Sequence, residues 1–76
     1  MNNMRRKEIN AVITLLESIQ EDVETFNNEE EEYYDNMPES IQCGECGEKA
    51  SDAMDNLQSA LDSLSEAIEY LEAAAE

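Results

Sequence analysis

The second half of this chain repeats apolar residues at alternating steps of four and three positions, without a single interruption. The row consists of Ala50, Met54, Leu57, Leu61, Leu64, Ile68, Leu71 and Ala75. Residues at this spacing lie on one face of an α-helix and form the seam along which a second helix packs. The spacing therefore predicts a long amphipathic helix over about 48–75 that needs a helical partner.

The first half of the chain supplies a matching helix, whose apolar residues alternate in steps of three and four. The row consists of Ile9, Val12, Leu16, Ile19, Val23 and Phe26, and Ile13 widens it to one side. The helix continues through the run Glu29–Glu32, because Glu is a good helix former. It ends before Pro38, since proline disfavours helix in the residue before it and cannot donate a backbone hydrogen bond. The sequence predicts a first helix over about 4–35.

Two long helices joined by a connection at about 36–47 predict an all-α fold, in which residues 1–76 form a single antiparallel helical hairpin, or coiled coil. The charges favour the same direction. Folding the chain back brings the bases Arg5, Arg6 and Lys7 next to the acidic end of the second helix, which holds Glu66, Glu69, Glu72 and Glu76. We expect these exposed pairs to select the antiparallel arrangement rather than to add much stability.

A two-helix hairpin has a seam but no interior, and a 76-residue chain is at the size where a single core is marginal. We expect Ile13 and Leu15 to stay exposed in a monomer. An alanine recurs every seven residues on the second helix and either lets a neighbouring backbone approach or merely raises helix propensity. This row is Ala53, Ala60, Ala67 and Ala74. Pairing two hairpins into a four-helix bundle would bury both rows, so we predict a homodimer with this dimer seam.

The chain carries no targeting signal that we recognise. The basic start Met1–Lys7 is followed by an apolar stretch that is too short for a secretory signal and has no cleavage site. No segment approaches the ~20 apolar residues of a membrane span. We expect a cytoplasmic protein without a membrane partner.

Cys43 and Cys46 are two residues apart, a spacing that lets both sulfurs bind one metal ion. A structural zinc site needs four ligands, and the chain has no His and no second such pair. Two hairpins meeting tip to tip would supply four thiolates, which resembles the zinc hook of the coiled-coil ATPases of DNA repair. We favour the alternative, two small residues in a loop turned by Gly44 and Gly47, and expect no cofactor.

The composition excludes most function classes. Catalysis has no basis in the sequence, because there is no His, no nucleophile beside a base and no Gly-rich phosphate loop. Twenty acidic residues against four basic ones give a net charge of −16, which opposes direct nucleic-acid binding and favours a basic protein surface as partner. The densest acidic segment lies near the hairpin tip. The partner-binding residues predicted there are Glu29, Glu30, Glu31, Glu32, Tyr33, Tyr34 and Asp35.

The charge density is close to that of nucleic acid. Helices of ~30 residues would make a rod ~45 Å long. The acidic residues would then be spaced about 2.2 Å apart, against ~1.7 Å per charge in duplex DNA. This similarity suggests a DNA mimic. The alternative is a structural or adaptor coiled coil whose apolar seams bind another helix while its acids keep it soluble.

Several segments resemble small uncharacterised acidic helical-hairpin proteins of Firmicutes and their phages. The segments are Asn36–Gln42, Arg5–Ile9, Asp55–Leu57 and Ser65–Ile68. In that group the loop is polar where this chain has Cys43 and Cys46, which argues against zinc. Phage genomes also encode compact acidic inhibitors of restriction, CRISPR and other defence enzymes. The resemblance implies a phage or prophage protein that inhibits a nucleic-acid-handling or defence protein in the host cell cytoplasm.

Overall fold

Two long helices lie side by side and antiparallel in the computed structural model, which describes residues 2–76. Helix α1 spans Asn3–Asp35, the single turn α2 spans Glu39–Gln42, and α3 spans Glu45–Ala74. No strand occurs among residues 2–76. The predicted all-α antiparallel hairpin is therefore confirmed. The connection differs from the predicted loop over 36–47, because it contains α2 and because α3 begins at Glu45.

The ends of α1 are set by local chemistry. At its start the side-chain oxygen of Asn2 accepts a hydrogen bond from the backbone N–H of Arg5 at 2.8 Å, which satisfies one of the free donors of the first turn. At its end the backbone N–H of Asn36 still donates to the Glu32 carbonyl at 3.0 Å. Pro38 then stands at the N-terminal cap of α2 with φ −56°, so the chain turns where the sequence predicts.

Helix α3 packs on α1 through the row of apolar residues that the sequence predicts. Ala50 and Ile68 are buried at 2% and 8% exposure, and the other six members of the row are half-buried. The 4-3 spacing of α3 thus identifies its inner face correctly.

The prediction for α1 is only half right. Ile9, Leu16 and Val23 face α3 and are half-buried. The alternate members of the predicted row point away and remain exposed, at 46% for Val12, 46% for Ile19 and 54% for Phe26. Their inner places are taken by Ile13, Gln20 and Asn27. The expectation that Ile13 would stay exposed is wrong, because it is only 6% exposed inside the hairpin.

The reason for this difference is the width of the apolar sector on α1. Its side chains form three adjacent rows, and one facing helix covers only two of them. In the structure α3 covers the rows that contain Ile9 and Ile13, which leaves the row of Val12 outside. The same rotation lets the side-chain amide of Gln20 donate to the Ser65 hydroxyl at 2.7 Å.

The hydrogen bond between Gln20 and Ser65 also shows the register of the two helices, because it places residues 20 and 65 at about the same height. In an antiparallel pair, other residues whose numbers add up to about 85 then lie level with each other as well. Ile9 is thus level with Glu76, and the bases before it lie beyond the end of α3. The predicted pairing of Arg5, Arg6 and Lys7 with the C-terminal acids does not form. In the described part of the chain the only ion pair joins Lys49 and Glu45 at 3.5 Å within α3.

The hairpin tip is held by two contacts of α2. The side-chain amide of Gln42 donates to the Tyr34 carbonyl at the end of α1, at 2.8 Å. On the other side Gly47 of α3 lies directly against the Gln42 backbone. A Cβ at Gly47 would overlap the Gln42 carbonyl oxygen and lie 2.7 Å from its Cα, so only glycine permits this approach.

Over residues 2–76, neither long helix contains a stretch apolar enough to cross a membrane.

Candidate functional site

The hairpin has two long faces, one on each side of the seam between α1 and α3, and their compositions are opposite. In an antiparallel pair, corresponding flanks of the two helices lie on the same side of the seam. A groove of about 690 Å³ near the tip shows this arrangement, because Phe26 and Tyr33 of α1 line it together with Cys46 and Lys49 of α3. Its floor is formed by Ala50 and Leu57 of the seam.

We name the face that contains this groove the apolar face. On α1 it comprises Arg5, Glu8, Val12, Leu15, Ile19, Asp22, Phe26, Glu29 and Tyr33. On α3 it comprises Cys46, Lys49, Ala53, Asn56, Ala60, Ser63, Ala67, Tyr70 and Ala74. Eleven of these 18 residues are apolar, and three acids against two bases leave a net charge of −1. Apart from Tyr70, the large apolar side chains of this face come from α1, and the alanines come from α3.

We name the opposite side the acidic face. On α1 it comprises Asn3, Lys7, Asn10, Thr14, Glu17, Glu21, Glu24, Asn28, Glu31 and Asp35. On α3 and just after its end it comprises Glu48, Ser51, Asp55, Gln58, Asp62, Ser65, Glu69, Glu72 and Glu76. All 19 residues are exposed, none is apolar, and eleven acids against one base give a net charge of −10. Most of the charge of the protein is therefore presented in one direction.

The predicted partner-binding residues at the tip do not form one patch. Successive residues of a helix point 100° apart, so the structure distributes them around α1. Glu29 and Tyr33 lie on the apolar face, and Tyr33 is 59% exposed. Glu31 and Asp35 lie on the acidic face. Glu30 and Tyr34 are half-buried toward the seam, and Glu32 is exposed on the back of α1.

The predicted dimer seam is also divided by the structure. Ile13 is inside the hairpin, whereas Leu15 is 63% exposed on the apolar face. The four alanines stay together on that face, with Ala60 and Ala74 exposed and Ala53 and Ala67 half-buried at the edge of the seam.

Cys43 follows the last turn of α2 and Cys46 lies in the first turn of α3, and both are exposed free thiols. Within residues 2–76 no group of three or more His, Cys, Asp or Glu side chains is arranged to hold a metal ion.

Sequence reasoning assigned Val12, Ile19 and Phe26 to the seam, and so missed them as an exposed row, together with Tyr70, which is 76% exposed. Tyr33 continues this row and was predicted only as a partner-binding residue. The signal that could have found this row is its own period, because its members recur every seven residues, as the alanines of α3 do. Comparison with protein-family models, curated proteins and solved structures finds no match to this chain.

Proposed function

We propose that this protein is a non-enzymatic acidic binding protein that occupies the basic, nucleic-acid-binding surface of another protein and so inhibits it. The observation that carries the proposal is the acidic face, which holds eleven exposed carboxylates, one lysine and no apolar side chain. A partner with the chemistry of a nucleic-acid-handling or defence protein would present the complementary charge. The resemblance to phage-encoded hairpins supports the same class of partner.

A one-sided distribution of charge suits such a role physically. The carboxylates of the acidic face are all on exposed residues, so presenting them costs the fold little desolvation. Together they create a field of one sign over the whole length of the rod, which speeds the encounter with a basic partner and rejects acidic ones. The apolar face carries almost no net charge and contributes little to this field.

The dimensions of the hairpin are compatible with an imitation of duplex DNA. Its longest extent is 58 Å, so its twenty acidic residues are spaced about 2.9 Å apart along the rod. This is more dilute than the expectation of 2.2 Å, because the rod is longer than two 30-residue helices alone would make it. Duplex DNA carries one charge per ~1.7 Å. Counted by its acidic residues alone, a single hairpin thus reaches more than half of that density.

The apolar face favours a second candidate function, an adaptor coiled coil that binds a partner helix. Val12, Ile19 and Phe26 would be the anchors in such a complex. Salt separates the two functions, since screening weakens contacts made by the acidic face and leaves contacts made by the apolar face nearly unchanged.

The proposal is tested by capturing partners from a bacterial lysate with two triple variants of equal charge. The first neutralises the acidic face with Glu31→Gln, Asp55→Asn and Glu69→Gln. The control removes the same residue types from the backs of the helices with Glu32→Gln, Asp52→Asn and Glu66→Gln. Both variants change the net charge by the same amount. Any difference in the partners that they capture is therefore due to the face from which the charges were removed.

We expect the native protein and the control to capture a nucleic-acid-binding protein at low salt, and duplex DNA to displace it. Capture should be lost at high salt and with the acidic-face variant. Recovery of no partner, or equal capture by both variants, would reject the proposal.

A further inference from the structure

We propose that the apolar face is the docking surface for a second copy of this chain. The two copies are related by a two-fold axis parallel to the rod, so that α1 of each copy packs along α3 of the other with the two tips side by side. The proposal rests on the pattern of the apolar face and does not depend on the proposed function.

The first argument is the size of the apolar surface that a single hairpin leaves exposed. Phe26 is 54% exposed, Leu15 is 63% exposed and Tyr70 is 76% exposed, all on the same side. The Cα extents of 58 × 15 × 12 Å give the long face a projected area of roughly 870 Å² (58 × 15). A stable interface buries about 800 Å² per partner, so this face alone is large enough.

The second argument is complementarity of size. A two-fold axis along the rod leaves heights unchanged, so the register within the chain also predicts which residues meet between copies. Each member of the row of large residues that recurs every seven positions on α1 then faces an alanine of α3 in the other copy. The pairs are Val12 with Ala74, Ile19 with Ala67, Phe26 with Ala60, and Tyr33 with Ala53. In each pair the two residue numbers add up to 86, which agrees with the register of about 85 within the hairpin. Large side chains opposite small ones let helices interdigitate at close range.

The third argument is complementarity of polarity along the outer edge of the same face. Leu15 is level with Tyr70 of the other copy, so two of the most exposed apolar side chains cover each other. The polar residues of this edge also meet polar ones. Asp22 is level with Ser63, and Glu29 is level with Asn56.

A two-fold axis across the rod would place the tips at opposite ends, and its match is poorer when it passes at the height of Ile19. If that axis passes at the height of Ile19, Leu15 of one copy lies opposite Asp22 of the other. Tyr70 then lies near Ser63. Both arrangements point the acidic faces away from each other, which keeps the two strongest negative surfaces apart.

Docking of this kind produces an up-down four-helix bundle in which every neighbouring pair of helices is antiparallel. Its net charge of twice −16 along 58 Å is one net charge per about 1.8 Å, against about 3.6 Å for a single hairpin counted in the same way. Duplex DNA carries one per ~1.7 Å. The dimer would therefore match the axial charge density that a single hairpin does not reach.

The arrangement is tested with the native thiol of Cys46, which lies on the apolar face at the tip, in a full-length Cys43→Ser variant. The two Cys46 residues lie on diagonally opposite helices of the bundle. With neighbouring helix axes about 10 Å apart, the axes of these two helices are roughly 14 Å apart. We expect a bismaleimide of that span to join two chains at low micromolar concentration. With the axis across the rod, the thiols lie toward opposite ends of a 58 Å rod and stay unjoined.

Interface variants test the face itself by sedimentation equilibrium. Ile19→Glu would bury an unpaired charge and should raise the dimer dissociation constant at least about 100-fold. Ser18→Glu adds the same charge one position away on the exposed back of α1 and serves as the control. Tyr70→Ser, at a side chain that is 76% exposed in the hairpin, should also weaken the dimer without unfolding the chain.

A monomer mass at micromolar concentration would overturn the proposal, as would equal effects of Ile19→Glu and Ser18→Glu. A dimer that does not cross-link through Cys46 would overturn the tip-beside-tip arrangement. Circular dichroism of each variant confirms that helicity is retained.

Discussion

Replacing Ile13 or Leu15 by alanine separates the seam within a hairpin from the face between hairpins. The two residues are aliphatic, stand two positions apart on α1 and each lose three carbon atoms in the change to alanine. Ile13 is 6% exposed and Leu15 is 63% exposed in the single hairpin. They differ mainly in what covers them.

The expected losses follow from these exposures. At about 0.8 kcal/mol per buried carbon group, removing three fully buried groups costs about 2.4 kcal/mol. Scaled by burial, Ile13→Ala should lower the free energy of unfolding of the hairpin by about 2.3 kcal/mol and Leu15→Ala by about 0.9 kcal/mol. In the proposed dimer Leu15 is covered as well, so the two losses should become similar.

The assay is urea unfolding followed by far-ultraviolet circular dichroism over a wide range of protein concentrations. Ile13→Ala should destabilise the protein at every concentration. Leu15→Ala should approach that loss only where the native protein is dimeric, and its effect should shrink on dilution. A Leu15→Ala loss that equals the Ile13→Ala loss in the most dilute samples would refute the assignment of Ile13 to the seam and Leu15 to the apolar face.

Three further results are expected. Gly47→Ala should destabilise the tip by about 1–3 kcal/mol, because the added Cβ would overlap the Gln42 backbone. Gly44→Ala is the matched control, since the nearest atom to its added Cβ would be 3.5 Å away. Equal melting temperatures for the two variants would contradict a close approach of Gly47 to Gln42. Asn27→Leu should raise the free energy of unfolding by about 1 kcal/mol or more, because the side-chain oxygen of Asn27 is buried without a hydrogen-bond partner; a loss of stability would show that this oxygen is satisfied in solution. Added salt should lower the dimer dissociation constant, because it screens the repulsion between two chains that each carry a net charge of −16. The same salt should weaken the capture of a basic partner. A dimer that dissociates when salt is added would argue against an apolar interface.

The sequence predicts α3 more accurately than α1, and the reason lies in the width of their apolar sectors. On α3 the large aliphatic residues occupy a single seam, and the flanking row is alanine, so only one rotation buries Leu57, Leu61 and Leu64. On α1 the flanking row holds Val12, Ile19 and Phe26, which together are more apolar than Ile13, Gln20 and Asn27 in the inner places. Periodicity alone could not choose between them.

The candidate site shows the same division. The excess of acidic residues is a property of composition, and the sequence predicts from it a basic partner. The run Glu29–Glu32 is contiguous in sequence but is spread around α1 in space, so it does not form a patch. The acidic face instead combines carboxylates from both helices, and its members are separated in sequence by up to the whole length of the hairpin.

The sequence by itself determined two long helices, the turn at Pro38, the inner row of α3 and the antiparallel hairpin, because these follow from local periodicity and backbone chemistry. Only the tertiary structure decided the rotation of α1, and with it the burial of Ile13, the exposure of Phe26 and the separation of an apolar face from an acidic one. Rotation is set by how two surfaces fit together, through contacts such as that between Gln20 and Ser65. That fit depends on residues far apart in the chain, which a local pattern does not encode.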